Sequence, residues 1–299
     1  MSSQVPSSIL DPKVLSRLSG LYLVAKTVVE GFITGLHRSM YRGFSVEFAG
    51  HREYVAGDDL RYFDWKVFGR TDRSYIKVFR EETNVKTHIL LDISQSMDYS
   101  SDQVSKKQYA VWLAASLSYL LISQKDAVGI ILFDTEIRKM VKPGSTSTHL
   151  RQILTALENL PAGEKTSLAS VLHLIAPNIK RRSLIILISD LFDEPEAVIR
   201  GLAHFRHHHH EIIVFHILDQ AEVEFPFSGQ FQFLDMETGE KIDVDSLSLQ
   251  AGYRQAITDF LLRYQRQCSA TNISYARTVT RNPFDHFLYH YLSVRAKIA

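Results

Sequence analysis

Hydrophobic positions in this chain follow two periods. Residues 89–91 are a short apolar run that reads as a buried strand. The run ends on Asp92, and polar residues then alternate as Asp92, Ser94 and Ser96. Apolar residues at helical spacing follow over about 104–124, so one carboxylate and two hydroxyls lie on the turn from strand into helix. Residues 127–133 and 137–141 read as further strands before Pro143 and Gly144 break the chain. Helical patterns over 148–159 and 167–178 precede the almost purely apolar 183–189, a composition suited to a central parallel strand. A helix over 195–208, a strand over 211–218, and an alternating hairpin over 231–245 around Glu237-Thr238-Gly239-Glu240 come next. A helix over 247–270, a strand over 273–279 and a helix over 283–296 close the pattern. The alternation predicts an α/β fold: a doubly wound, mainly parallel sheet with helices on both faces.

The first third differs. Residues 11–36 predict one amphipathic helix, with Asp11 at its N-cap and Pro12 at the first helical position. Leu15, Leu18, Leu21, Ala25, Val28 and Phe32 recur on one face, expected to pack on the chain's own core, with a partner-binding helix as the sharper alternative. Residues 37–86 are punctuated by Gly43, Gly50 and Gly57, and 75–79 alternates as a strand. The run 52–66 mixes charge with aromatics. Aromatics beside Arg and Lys can stack bases, but the interleaved acids repel phosphate. Internal salt links around buried Tyr and Trp are therefore expected. This divides the chain into an N-terminal extension, 1–86, and an α/β domain, 87–299. Segment 37–86 has few apolar positions for a core of its own, so it is expected to pack as a collar on the α/β domain.

Composition narrows the function. A net charge of +1 across 299 residues gives no general attraction to nucleic acid or acidic membranes. The single cysteine, Cys268, excludes an internal disulfide and points to a reducing compartment. No stretch reaches the roughly 18 uninterrupted apolar residues of a membrane span, and the first residues lack a signal-peptide layout. A soluble, cytoplasmic protein without membrane insertion is expected.

Asp92-x-Ser94-x-Ser96 after a strand resembles the metal-ion-dependent adhesion site of von Willebrand factor A domains. That resemblance implies a threonine from a second loop and an aspartate from a third. Thr166, just before a helical pattern, and Asp190, at the end of the apolar run 183–189, answer to them. Hard oxygen ligands suit Mg2+, which keeps several waters; Mn2+ or Ca2+ can substitute. The plain alternative is that both aspartates cap turns or helices. Residues 163–167 fail as a phosphate loop, since Glu164 separates Gly163 from Lys165. Nucleophile-elbow and zinc-protease motifs are absent from the sequence. His207 to His210, with His204, offer soft-metal ligands, although the polar end of a helix is the simpler account. Cys268, within a helical pattern, is expected to be a buried, inert thiol.

A more specific resemblance lies upstream. Gly43, Ser45 to Phe48, Arg52-Glu53-Tyr54, Gly57-Asp58-Asp59-Leu60-Arg61, Asp64-Trp65, Arg70-Thr71, Lys77 and Glu81-Glu82 precede the Asp92 loop. In this order they resemble the bacterial proteins of "domain of unknown function 58", over about residues 12–296. The resemblance implies a von Willebrand A-like domain, commonly paired with a MoxR-type AAA+ ATPase and acting in chaperone-like maturation or remodelling of client proteins. The expected function is a non-enzymatic, Mg2+-dependent protein-interaction module, with Asp92, Ser94, Ser96, Thr166 and Asp190 as its metal site. The ATPase and an unknown client are its expected partners. The alternatives are a metal-dependent hydrolase and a structural domain whose metal site stays empty.

Overall fold

The computed structural model describes residues 11–36, 50–55, 65–78, 86–163, 167–234 and 241–298. Met1–Gly35 and Val85–Ala299 form one compact unit, and Leu36–Asn84 forms another. The sequence-based boundary at 86 had grouped the first helices with the extension; the contacts group them with the α/β unit.

The helix expected over 11–36 is two helices, α1 (Pro12–Leu15) and α2 (Leu21–Leu36). Asp11 caps α1 by accepting from Lys13 N at 2.8 Å. The Ser16 hydroxyl then donates to Lys13 O, and Gly20 adopts φ +92°. A hydroxyl competing for the backbone and a left-handed glycine both end a helix. Helix α2 buries Leu21, Val24, Ala25, Val28, Val29 and Phe32, the spacing of one helical face.

In the smaller unit, β1 (Gly50–Glu53) pairs antiparallel with β2 (Tyr75–Val78), and α3 (Trp65–Thr71) lies between them in sequence. The strand expected over 75–79 is present. The buried Trp is not: Trp65 is 65% exposed and meets Phe68 edge-on.

The α/β unit is built on a six-stranded sheet of order β10-β7-β6-β3-β4-β5. Its members are β3 (Lys86–Asp92), β4 (Val128–Phe133), β5 (Ile137–Gly144), β6 (Ser183–Ser189), β7 (Glu211–Leu218) and β10 (Ser274–Val279). All pairings are parallel except β4 with the edge strand β5. Every residue of β4 and β6 is buried. A sheet covered on both faces has no solvent side, so its central strands are continuous apolar runs. Each fully buried Ile or Leu contributes about 1.5–3 kcal/mol of transfer free energy.

Helices α6 (Leu168–Ile175), α7 (Pro195–His207) and α9 (Ser246–Ala270) share one core cluster with one face of the sheet, through Leu172, Leu202, Phe205, Tyr264 and Cys268. On the other face lie α4 (Lys106–Ser123) and α10 (Asp285–Ile298), the latter through Phe287 against Phe215. Helix α2 covers these two, with Tyr22 meeting Tyr119 and Phe32 meeting Tyr289. Helix α5 (Ser147–Glu158) packs beside α4. Because α4 is enclosed by sheet and helices, fourteen of its residues are buried, among them the charged Lys106.

Three features lie outside the sequence pattern or sharpen it. A 3-10 turn, Gln95–Asp98, follows β3. A short α8 (Gln220–Glu224) follows β7, opened by a reciprocal capping box between Asp219 and Glu222. The hairpin β8 (Gln230–Leu234) and β9 (Lys241–Asp245) is present, with its expected turn at 237–240 outside the described residues.

Candidate functional site

The chain leaves β3 toward β4 on one side and later returns to β6 on the other, so the strand order reverses at β3. At such a switch point the connections leave the carboxyl edge in opposite directions and open a crevice. Asp92 ends β3 there, fully buried. Its Oδ1 accepts from Ser94 N at 2.9 Å, and its Oδ2 accepts from the Ser189 hydroxyl at 2.6 Å. The 3-10 turn brings the Ser94 and Ser96 hydroxyls 3.1 Å apart, with Ser94 buried and Ser96 half-buried.

Ser189 has a second task. Its Oγ accepts from Leu191 N at 3.0 Å, holding the turn in which Leu191 takes φ +54°. A left-handed leucine costs about 1–2 kcal/mol, and surrounding bonds must hold it. The Tyr264 hydroxyl does so from α9, donating to the carbonyls of Leu191 and Asp193 at 3.0 and 3.2 Å. From the other side, Gly163 abuts the Asp92 loop: a Cβ there would lie 1.8 Å from Ile93 O. The stretch that carries the expected threonine therefore reaches the loop as far as Gly163. Thr166 itself lies outside the described residues.

Asp190 stands at the expected strand end, and its Oδ2 accepts from Lys106 Nζ at 2.8 Å. The same ammonium donates to Glu222 Oε1 at 2.5 Å and lies 4.8 Å from the centre of the Phe192 ring. Burial opposes the Lys106 charge, but the two carboxylates outweigh it and raise its pKa, so it is a permanent ammonium. Burial, and next the Asp190 charge, push the Asp92 carboxyl up to about 7 against the hydrogen bonds from Ser189 and Ser94.

These residues fit a hard cation. A buried carboxylate of raised pKa gains from a positive charge beside it, and the nearby ammonium is bonded to Asp190 and Glu222 instead. Asp92, Ser94 and Ser96 are the oxygen donors. Among the described residues, no group of three or more His, Cys, Asp or Glu is gathered for a metal. The donor set is one carboxylate with hydroxyls, a set for Mg2+ or Ca2+ rather than zinc.

Sequence reasoning missed Ser189, Lys106 and Glu222. Asp219-x-x-Glu222 carries a capping-box signal, whereas Lys106 has no local signal for burial. The histidine run resolves into two parts. His207, His208 and His209 are exposed. His210 is buried, accepts from Ser183 N at Nδ1, and donates from Nε2 to Ile179 O, the neutral form that its burial-lowered pKa favours. Cys268 is buried, its thiol pushed up to about 12 by burial.

Among the described residues, no helix is long and apolar enough to cross a membrane. Over 240 residues the chain is 27% identical to the uncharacterized protein Rv1480 of Mycobacterium tuberculosis, covering 79% of this chain and 75% of that one, and the same values hold for a Mycobacterium bovis protein. The solved structure of an aerotolerance-related membrane protein from Bacteroides fragilis matches with a TM-score of 0.50 at 17% identity, over 72% of this chain and all of that one. BatB from Bacteroides thetaiotaomicron matches at 0.49 and 20%, over 71% and 99%. The likeness to the Bacteroides fragilis structure concerns the fold alone, a mainly parallel α/β sheet with helices on both faces. Residues 50–263 match the family described as "Protein of unknown function DUF58", and the chain belongs to that family.

Proposed function

We propose that this chain is a non-enzymatic protein-interaction module. Its contact edge is the carboxyl edge of the sheet, organised by one divalent cation, Mg2+ in the first instance, on Asp92, Ser94 and Ser96. The observation that carries this reading is the convergence of a buried carboxylate and two hydroxyls 3.1 Å apart at the switch point of a parallel sheet. A bound ion supplies a positive centre with an open position that a partner's carboxylate can take. Such a charge-assisted contact is one that Asn or Gln cannot match. The chain's own residues orient it: Ser189 and Ser94 N fix the Asp92 carboxylate, and the 3-10 turn fixes the hydroxyls.

The partner proposed is a MoxR-type AAA+ ATPase acting with this chain on a client protein in the cytoplasm. This rests on the family resemblance. Thermal unfolding of the full chain with and without MgCl2 tests the ion: the wild type is expected to gain stability by linkage and Asp92→Ala to lose that gain. Equal shifts in both overturn the ion. Titration of wild type and Asp92→Ala against the purified ATPase at constant Mg2+ and nucleotide tests the partner, because the variant removes the site without disturbing the ATPase's own metal. Equal affinities place the contact elsewhere.

A further inference from the structure

Lys106 is an unusual residue for its place. It is the first residue of α4, where the positive end of the helix dipole disfavours a cation. It is 0% exposed, and the hydration an ammonium loses on burial must be offset by close pairing with opposite charge. Full pairing is what surrounds it. Asp190 comes from the end of β6 and Glu222 from α8, at 2.8 and 2.5 Å, while the rings of Phe192 and Tyr99 lie 4.8 and 5.9 Å away. Asp190 is the carboxylate nearest in role to a second metal ligand, yet the oxygen that faces Lys106 is already taken.

We propose that Lys106 is a tethered counter-cation that occupies the charge position of Asp190 and keeps that carboxylate out of ion coordination. The site then holds one divalent ion through Asp92, Ser94 and Ser96 alone, an assignment that rests on the ion reading above. The consequence is a loosely held ion with several positions open, as exchange onto a partner's carboxylate requires. A purely structural ion pair predicts something else: loss of stability on its removal, with ion affinity unmoved.

The test is calorimetric titration of MgCl2 and MnCl2 into the full chain, with folding checked by near-UV circular dichroism. Asp190→Asn keeps the shape and leaves Lys106 paired with Glu222. It is expected to bind Mg2+ within about twofold of the wild type, whereas loss of a true ligand costs about tenfold or more, 1.4 kcal/mol per tenfold. Lys106→Met alone leaves the buried Asp190 and the half-buried Glu222 without their counter-cation and is expected to fold poorly. The double variant Lys106→Met with Glu222→Gln removes one charge of each sign and frees Asp190. Its Mg2+ affinity is expected to rise at least about tenfold, and adding Asp190→Asn is expected to reverse the gain. If wild type binds but the double variant binds no tighter, the tethered-cation proposal is overturned and the ion reading stands. If only the double variant binds, and does so through Asp190, the proposal stands and the ion reading of the wild type fails. Ion binding in none of the proteins overturns both. Should the double variant not fold, Lys106→Gln with Glu222→Gln takes its place in the same titration, and a tenfold loss in Asp190→Asn overturns the proposal by itself.

Discussion

The Ser189 hydroxyl donates to Asp92 Oδ2 at 2.6 Å and so ties together the carboxyl ends of two neighbouring parallel strands. Leu91 pairs with Ile188 in the sheet, and this side-chain bond continues the pairing by one residue after the backbone ladder ends. The candidate site is thus braced by the sheet itself.

Ser189→Ala tests that brace. Its removal leaves Asp92 Oδ2 and the Leu191 N–H short of a partner in a buried place, at a cost of about 1–3 kcal/mol. At about 2–4 °C per kcal/mol for a chain of this size, urea and thermal unfolding should both register the loss. Unchanged stability would mean that the bond is not formed in solution.

Gly163→Ala tests the approach of the second loop. With Ile93 O 1.8 Å from the added Cβ, one of the two backbones must move. Overpacking of this kind costs typically about 1–3 kcal/mol. Chemical denaturation is the measurement, and a neutral effect would show that the loops are not in contact.

The His88 contribution to stability should be lost in mild acid, where the raised carboxyl of Asp92 acts in the opposite sense. Burial first, and then the charges of His210 and Lys86, push the His88 imidazole down to about 4 from 6.5. Between those values the unfolded chain binds more protons than the folded one, so stability rises with pH. The contribution is complete above about 6.5 and is lost as pH falls toward 4; it amounts to a few kcal/mol, at about 1.4 per pH unit. The unfolding free energy of the wild type minus that of His88→Gln should therefore fall as pH is lowered across this window. An equally steep profile in the variant would assign the acid sensitivity to other groups.

Cys268 should be silent in the folded protein. Burial pushes its thiol up to about 12, and the thiolate is the reactive form. A thiol reagent at neutral pH is expected to label the chain only after denaturant is added, at a rate that follows global unfolding. Rapid native labelling would show that α9 opens locally.

Much of the fold is legible in the pattern of residues because periodicity is local. The apolar run 183–189 is β6 residue for residue, and the strand expected over 211–218 is β7. Asp11 and Pro12 mark the start of α1 for the same reason: a cap acts within one turn. The break between α1 and α2 was less visible, because apolar spacing runs through it while Gly20 alone takes the left-handed turn. The site was legible in part: strand ends place Asp92 and Asp190 at one edge of the sheet, and Ser94 and Ser96 follow from the turn.

What the sequence by itself determined is the α/β alternation, the strands that must be buried, and the oxygen-rich loop after β3. What only the tertiary structure decided is how charge is distributed around that loop. Lys106 reads locally as an ordinary polar start to a helix. Its partners Asp190 and Glu222 lie 84 and 116 residues away and meet it only when β6, α8 and α4 come together. Whether a charge is solvated or paired depends on the groups that surround it in space, and those arrive from distant parts of the chain.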